Sequence, residues 1–229
     1  GRLAVDLEGR IAEIDINPLV ASASGLIALD ARMVLHSAEV GADELPRPAI
    51  RPYPSQYVAR CRLRDNTIAI LRPIRPDDEP LMIEFHKTLS EQSVRFRYFS
   101  LLKLETRIAH ERLTRICFND YDREIAVVID HKNPQTARHE ILGVGRLSKL
   151  HGLDEAEWAI IISDQWQGHG LGTKLLRLLV EIGRKEKLSR IFAHILPDNS
   201  VMQHVSKKVG FKLHFDSKED EWKAELALS

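Results

Sequence analysis

The sequence predicts an α/β (α+β) domain, a sheet flanked by helices, preceded by a separate β-rich piece. Three observations carry this. From residue 72 onward, apolar runs of strand length at 125–129, 140–150, 155–163 and 191–195 alternate with segments of helical period. The strand at 155–163 runs directly into a glycine turn, Gln167-Gly168-His169-Gly170-Leu171-Gly172, and the turn opens a helix. Residues 37–56 carry Pro46, Pro48, Pro52 and Pro54 with a Gly-Ala-Asp-Glu stretch, which is linker chemistry.

Taken in order, residues 1–36 hold two β-like runs, 11–16 and 26–29, the first leading into Asn17-Pro18. A piece of this length cannot bury an independent core, so it is expected to be part of a larger domain and the chain to be an excised fragment. Residues 57–63 and 67–71 flank Arg64-Asp65-Asn66, a hairpin turn. Asp77-Asp78-Glu79-Pro80 supplies an N-cap and first-turn acids for a helix over about 78–89. A second helix is predicted over 90–99 and a third over 105–117. The strands at 125–129 and 140–150 follow, with Asn133-Pro134 turning between them. The helix over 173–187 has apolar residues at 175, 176, 178, 179, 180 and 182, a wide buried face. After the strand at 191–195, a helix over 200–209 ends at Gly210, and strands at 211–215 and 223–228 close the chain. The predicted divisions are 1–36, a linker and hairpin over 37–65, and the α/β domain over 66–229.

Composition narrows the function classes. The chain has 229 residues, 44% apolar and 29% charged, with 33 basic and 33 acidic side chains. No global field draws it to nucleic acid or to an anionic membrane. No apolar stretch is long enough to span a bilayer and no signal peptide is visible, so the cytoplasm is the expected compartment. Cys61 and Cys117 are too few and too far apart for a disulfide framework or a zinc site. The ten histidines show no metal-site spacing, and no metal is expected.

The glycine turn carries the chemistry. Gly168, Gly170 and Gly172 have no Cβ, so the backbone can turn sharply and approach an anion. The amides that follow open a helix whose N-terminal N–H groups are unpaired and carry about half a positive charge. No acidic ribose-binding residue follows a second strand, which excludes a dinucleotide fold, and no Gly-Lys-Ser/Thr is present, which excludes a P-loop. Glu157 stands near the start of the strand that ends at the turn. A phosphate cradle and a candidate base on one strand point to group transfer from a phosphate-bearing carrier. Glu155 is its nearest competitor, on the same strand face, with Asp154 just outside the strand.

The turn Gln167–Gly172 resembles the Gln/Arg-x-x-Gly-x-Gly/Ala signature of the GNAT superfamily of N-acetyltransferases. Leu196-Pro-Asp-Asn199-Ser-Val-Met202, followed by Lys207-Lys-Val-Gly210-Phe211, is similar to that superfamily's next motif. The resemblance covers roughly residues 66–229. It implies the GNAT fold, a central mixed, mostly antiparallel sheet splayed at an acyl-CoA site, with acetyl-CoA as co-substrate. Its pyrophosphate is expected on the amides of Gly168, His169, Gly170, Leu171, Gly172 and Thr173, with Gln167 supporting the turn. The pantetheine arm is expected against the backbone of Ile160, Ile161 and Ile162. Asn199 contacts the cofactor or caps its helix, Lys207 and Lys208 reach a phosphate or are solvated, and Glu157 is the expected general base. Where many members place a tyrosine acid, this chain has Ser206, which leaves the general acid unassigned.

Two further stretches, Leu71-Arg-Pro-Ile-Arg-Pro-Asp-Asp-Glu79 and Asn119-Asp-Tyr-Asp-Arg-Glu-Ile-Ala126, resemble bacterial protein lysine acetyltransferases of the Pat type. Glu13-Ile-Asp15-Ile-Asn17-Pro18-Leu19 with Asp30 resembles the end of an ATP-grasp domain in NDP-forming acyl-CoA synthetases. In such domains the positions of Asp15, Asn17 and Asp30 bind magnesium with nucleotide, but without the rest of the domain an acidic hairpin is the better reading. These resemblances imply Nε-acetylation of a protein lysine on acyl-CoA synthetase-like enzymes, with the remaining synthetase-like region acting in cis. Asp120, Asp122 or Glu124 would steer the lysine, or form an exposed acidic turn. A small-molecule amine N-acyltransferase and a non-catalytic acyl-CoA sensor are the competing readings.

Overall fold

The computed structural model of the chain describes residues 3, 6–7, 10–37, 39–41, 51–64 and 66–228. The chain divides into two units, Gly1–Pro52 and Tyr53–Ser229. Most of the proline-rich stretch, including Pro46 and Pro48, and Asp65 of the hairpin turn lie outside the described residues.

In the first unit, β1 (Ile11–Ile16) pairs antiparallel with β4 (Ala31–Leu35). Between them β2 (Leu19–Ser22) and β3 (Gly25–Ala28) pair with each other. Of these four strands the sequence reading names the first and third; the second pairs with the third across the Ser22–Gly25 turn and the fourth returns to the first. The ribbons leave large apolar side chains in solvent, Leu26 at 69% and Leu29 at 64% exposure, as expected of two-stranded sheets too small to enclose a core. Asp15, Asn17 and Asp30 are exposed, and the Asn17 amide donates to the Asp30 carbonyl.

The second unit is built on eight strands: β5 (Ala59–Arg62), β6 (Ile68–Pro73), β7 (Glu124–Lys132), β8 (His139–Lys149), β9 (Glu155–Ile162), β10 (Arg190–Ile195), β11 (Lys212–Asp216) and β12 (Glu221–Ala227). Their order across the sheet is β11-β12-β10-β9-β8-β7-β6-β5, and every neighbouring pair is antiparallel except β9 with β10. This is the mixed, mostly antiparallel sheet of the predicted α+β class. The hairpin expected at 57–71 is part of it, with β5 as its edge strand and Tyr57, Cys61 and Leu63 buried.

Helices cover both faces, so the central strands bury both sets of alternating side chains. Ile125, Val127 and Ile129 of β7 pack with α5 (Leu171–Lys185), whose Leu171, Leu175, Leu176, Leu179 and Ile182 form the buried stripe the sequence predicts. Met202, Val205 and Val209 of α6 (Ser200–Val209) join that core. Ala126 and Val128 turn the other way, against Met82 and Phe85 of α1 (Glu79–Lys87), Val94 of α2 (Glu91–Tyr98), and Leu113 and Cys117 of α4 (His110–Cys117).

Two local expectations are corrected. The single helix expected over 105–117 is two, a short α3 (Leu104–Arg107) and α4, with Ala109 extended between them. At the break Arg107 is buried and donates to the Leu102 and His86 carbonyls. Asp78 occupies the N-cap of α1 but caps no helical amide. Its carboxylate accepts from the Arg75 amide and from Arg72, which also donates to Asp130. Burial alone lowers the Arg72 pKa, and these carboxylates more than reverse it.

Candidate active site

The site begins where the sheet opens. Along its length β9 is paired with β8, Ala156 with Lys149 through to Ile162 with Gly143. On its other side it pairs with β10 only over Glu155–Glu157, while β10 continues alongside β12 to Ile195. From Trp158 onward the β9 edge facing β10 therefore has no ladder partner, and its amides and carbonyls stand ready for an extended ligand. A cavity of about 510 Å³ fills this splay, lined by Ile160, Ile161 and Ile162 on one side and Ala193 and Ile195 on the other. Phe96 of α2, Phe99 just after it and Trp166 complete its apolar wall.

At the mouth lies the glycine turn. Gly168 has φ +72° and Gly170 φ +80°, left-handed conformations that a side chain resists. Gly172 has ordinary φ and sits in the first turn of α5, where an added Cβ would rest 3.9 Å from Ile162. Gly170 is the N-cap of α5; it offers no capping side chain, and the first turn holds no acid. The leading amides of α5 and its positive dipole end are thus left for an external anion. Gly168, Gly170, Leu171, Gly172 and Thr173 all line the cavity, whereas His169 does not. The His169 Nδ1–H donates to the Gln167 carbonyl at 2.8 Å, and its ring rests against Trp166.

Gln167 ties the turn to its surroundings. Its Nε2 donates to Ser93 Oγ at 3.0 Å, to the Ile162 carbonyl at 3.2 Å and to Asp164 Oδ1 at 3.2 Å. Asp164 also accepts from Ser93 Oγ and the Ser90 amide, so the start of α2 and the end of β9 are fixed to one network. Asn199, 8% exposed, lines the cavity and caps α6 by accepting from the Met202 amide at 3.1 Å. Beside it, Asp198 pairs with Arg95 of α2 at 2.6 Å, which holds the Asp198 carboxyl below its ordinary pKa.

Glu157 stands at the foot of the splay, exposed, in the last pair of the β9–β10 ladder, and lines the cavity. Its competitor Glu155 is held by Arg190 at 2.6 Å and is not part of the lining. Across the sheet Glu157 faces Ser148, which faces Glu124. Glu124 is taken by Arg146 and by Ser148 Oγ, and Asp120 and Asp122 lie outside the cavity in an exposed turn. Arg97 of α2 lines the same cavity; burial lowers its pKa, with Arg146 adding to the effect and Tyr98, Glu157 and Glu124 opposing it. Ser206 is fully buried and donates to the Met202 carbonyl one helical turn back, so its hydroxyl is committed away from the cavity.

Several lining residues escaped the sequence reading. Arg64 comes from the β5–β6 turn, Gln92, Ser93, Phe96 and Arg97 from α2, and Phe99 from its C-cap, all far from the motif in sequence. Lys208 lines the cavity and Lys207 does not. No group of three or more His, Cys, Asp or Glu side chains positioned for a metal occurs among the described residues. An unpaired strand edge, an uncapped helix start behind two left-handed glycines, and two cations at the rim fit an extended thioester carrier with a pyrophosphate.

Comparison with known proteins agrees. The model of the acetyltransferase (GNAT) domain family matches residues 69–212. An acetyltransferase of Pseudomonas aeruginosa is 25% identical over 150 residues, 65% of this chain and 77% of that one. Among solved structures, the GNAT domain of S. lividans PAT aligns with a TM-score of 0.68 at 24% identity, covering 77% of this chain and 99% of that chain. RimJ of Mycobacterium smegmatis, in complex with CoA-disulfide, aligns at 0.60 with 18% identity, covering 74% and 86%. At these identities the structures show a shared fold. With the family match spanning more than half of its length, the chain belongs to the GNAT acetyltransferases, acyl-CoA-dependent N-acetyltransferases that use acetyl-CoA as co-substrate.

Proposed function

We propose that the protein acetylates the Nε of a protein lysine, with Glu157 as general base, and that its acceptors are acyl-CoA synthetase-type enzymes which acetylation inactivates. One observation carries the assignment of the base. Glu157 lines the cavity where β9 and β10 part and is exposed, with no ion pair among the described residues, whereas Glu155 is neutralised by Arg190. A lysine has a pKa of about 10.4, so on the order of one in a thousand is neutral at pH 7, and a carboxylate that accepts its proton directly or through water is needed. When bound, acetyl-CoA supplies the thioester carbonyl and the thiolate leaving group. The β9 edge would hold its pantetheine arm, the amides of residues 168–173 its pyrophosphate, and Arg64 and Lys208 would add charge at the rim.

The protein-lysine reading is supported by the Pat-type stretches around residues 71–79 and 119–126 and by the likeness to the S. lividans PAT domain. The synthetase-like character of residues 13–30 points to the same acceptors and to a regulatory region in cis. No helix among the described residues is long and apolar enough to cross a membrane, and we place the reaction in the cytoplasm.

The test is incubation with acetyl-CoA and a lysine-bearing acyl-CoA synthetase, read by intact mass. Gain of one acetyl mass on the synthetase supports the reading. Transfer only to small amines would favour a small-molecule acceptor, and acetyl-CoA binding without any transfer would favour a sensor. Glu157→Gln should keep acetyl-CoA affinity by calorimetry while lowering kcat by about 10²-fold or more. Undiminished kcat would remove Glu157 from the mechanism.

A further inference from the structure

A second cavity, of about 440 Å³, lies between α1, α2, α4 and the strands β8 and β9. It opens on the face of the sheet that carries Glu157, and Arg97 and Ile161 line both cavities. Its charged lining is almost wholly cationic: Arg97, Arg112, Arg115 and Arg146, opposed by Glu111 alone. Arg146 is paired with Glu124. Arg97, Arg112 and Arg115 form no ion pair among the described residues, and Arg97 and Arg112 stack on the Tyr98 ring at 5.0 and 5.2 Å.

His86 lines the same cavity. It is 1% exposed, and its Nε2 is buried without a partner. Its Nδ1 lies 3.5 Å from Arg107 Nη1. An arginine N–H can only donate, so Nδ1 accepts and the ring proton sits on Nε2. Burial, with Arg107, Arg112 and Arg97 nearby, pushes the His86 pKa down to about 4, so the ring is neutral at pH 7. Arg112 Nε is likewise buried without a partner. Two buried donors without partners, His86 Nε2 and Arg112 Nε, thus belong to residues of this lining, and each costs free energy.

We propose that this cavity is an anion subsite for the acceptor, taking a carboxylate or phosphate carried close to the amine that Glu157 deprotonates. The inference rests on Glu157 marking the acceptor side, and it deepens the proposed function by naming a substrate class: a lysine with an acidic residue close to it in sequence. Guanidinium groups suit it, since they bind planar oxyanions through paired N–H donors.

The test uses the full chain with saturating acetyl-CoA and lysine peptides carrying aspartate, or asparagine in its place, at each of the three positions on either side of the lysine. At one or more positions the aspartate peptide should have a KM about tenfold or more below its asparagine twin, with similar kcat. Arg112→Gln and Arg115→Gln should erase that difference, Arg112→Lys should restore part of it, and acetyl-CoA affinity by calorimetry should stay unchanged. Equal KM values for every acidic and neutral pair in the unaltered protein would overturn the subsite. So would variants that raise both KM values alike. If no peptide is acetylated, the same comparison runs with free lysine against cadaverine. A preference for the carboxylated amine that Arg112→Gln abolishes keeps the subsite whatever the synthetase assay shows, and no preference overturns the subsite alone.

Discussion

At His86 burial and three neighbouring guanidinium groups oppose protonation together, and this makes a stability prediction. In the folded chain its pKa lies near 4 against 6.5 for the free side chain. A depressed histidine contributes stability that is complete above the unfolded pKa and is lost as pH falls, because the unfolded chain takes the proton first. Between pH 6.5 and 4 the loss should approach about 3 kcal/mol. Urea unfolding across that window should show the decline, and His86→Gln should flatten it; a variant profile parallel to the unaltered protein's would refute the assignment. Asp130 is separable, because although burial pushes its carboxyl up, His139 and Arg72 hold it below its ordinary pKa and its contribution disappears at lower pH. At this scale the sequence showed Glu157 clearly, since period-2 alternation and the turn that follows place it on a defined strand. It ranks Glu155 only as a competitor, and the arginine that pairs with Glu155 sits on a strand 35 residues later, where no local pattern reveals it. Nor did it show the basic cavity, whose arginines come from α2, α4 and β8 and converge only on folding.

Among the elements, the glycine turn was the most legible and its three glycines prove unequal. Gly170 combines φ +80° with the N-cap of α5, so a β-branched residue there strains the backbone and re-aims the leading amides. Gly170→Val should cost about 1–2 kcal/mol in stability and weaken acetyl-CoA binding at least about tenfold, as the helix start that receives the anion is displaced. Gly172→Ala has ordinary φ and an ordinary contact with Ile162, and should fold with unchanged stability. Calorimetry and thermal melts check both, and an unaltered acetyl-CoA Kd for Gly170→Val would show that the anion is held elsewhere. The helices were legible where caps and apolar period agree, as in α6 between Asn199 and Gly210. They were not legible between α3 and α4, where Arg107 donates to the Leu102 and His86 carbonyls. Propensity and period carry no trace of such tertiary contacts.

For the whole molecule, the question is where the acetyltransferase unit begins. Motif and helix signals suggested residue 66, because the prolines and the short hairpin before it resemble a connector. The sheet instead extends back through β5, and the segment before β5 is fastened as well. Tyr53 donates to the Pro73 carbonyl at 2.9 Å and meets Tyr121 edge-on, and Tyr57 is 4% exposed in the core beneath α5. Removing residues 1–52 leaves all these contacts in place, so a chain starting at Tyr53 should fold and bind acetyl-CoA with the affinity of the full chain. A chain starting at Asn66 loses Tyr57, Cys61 and Leu63 from the core, at about 1.5–3 kcal/mol for each of the larger side chains. It also exposes β6 as an unprotected edge and removes Arg64 from the cavity rim. Against a total stability of about 5–15 kcal/mol, that loss should leave the shorter chain aggregating or substantially unfolded at 25 °C. Thermal melts and size-exclusion chromatography of the two truncations decide the matter: equal stability would mean that β5 is an ornament of the sheet, and collapse of the shorter chain alone would make Tyr53 the start of the folding unit.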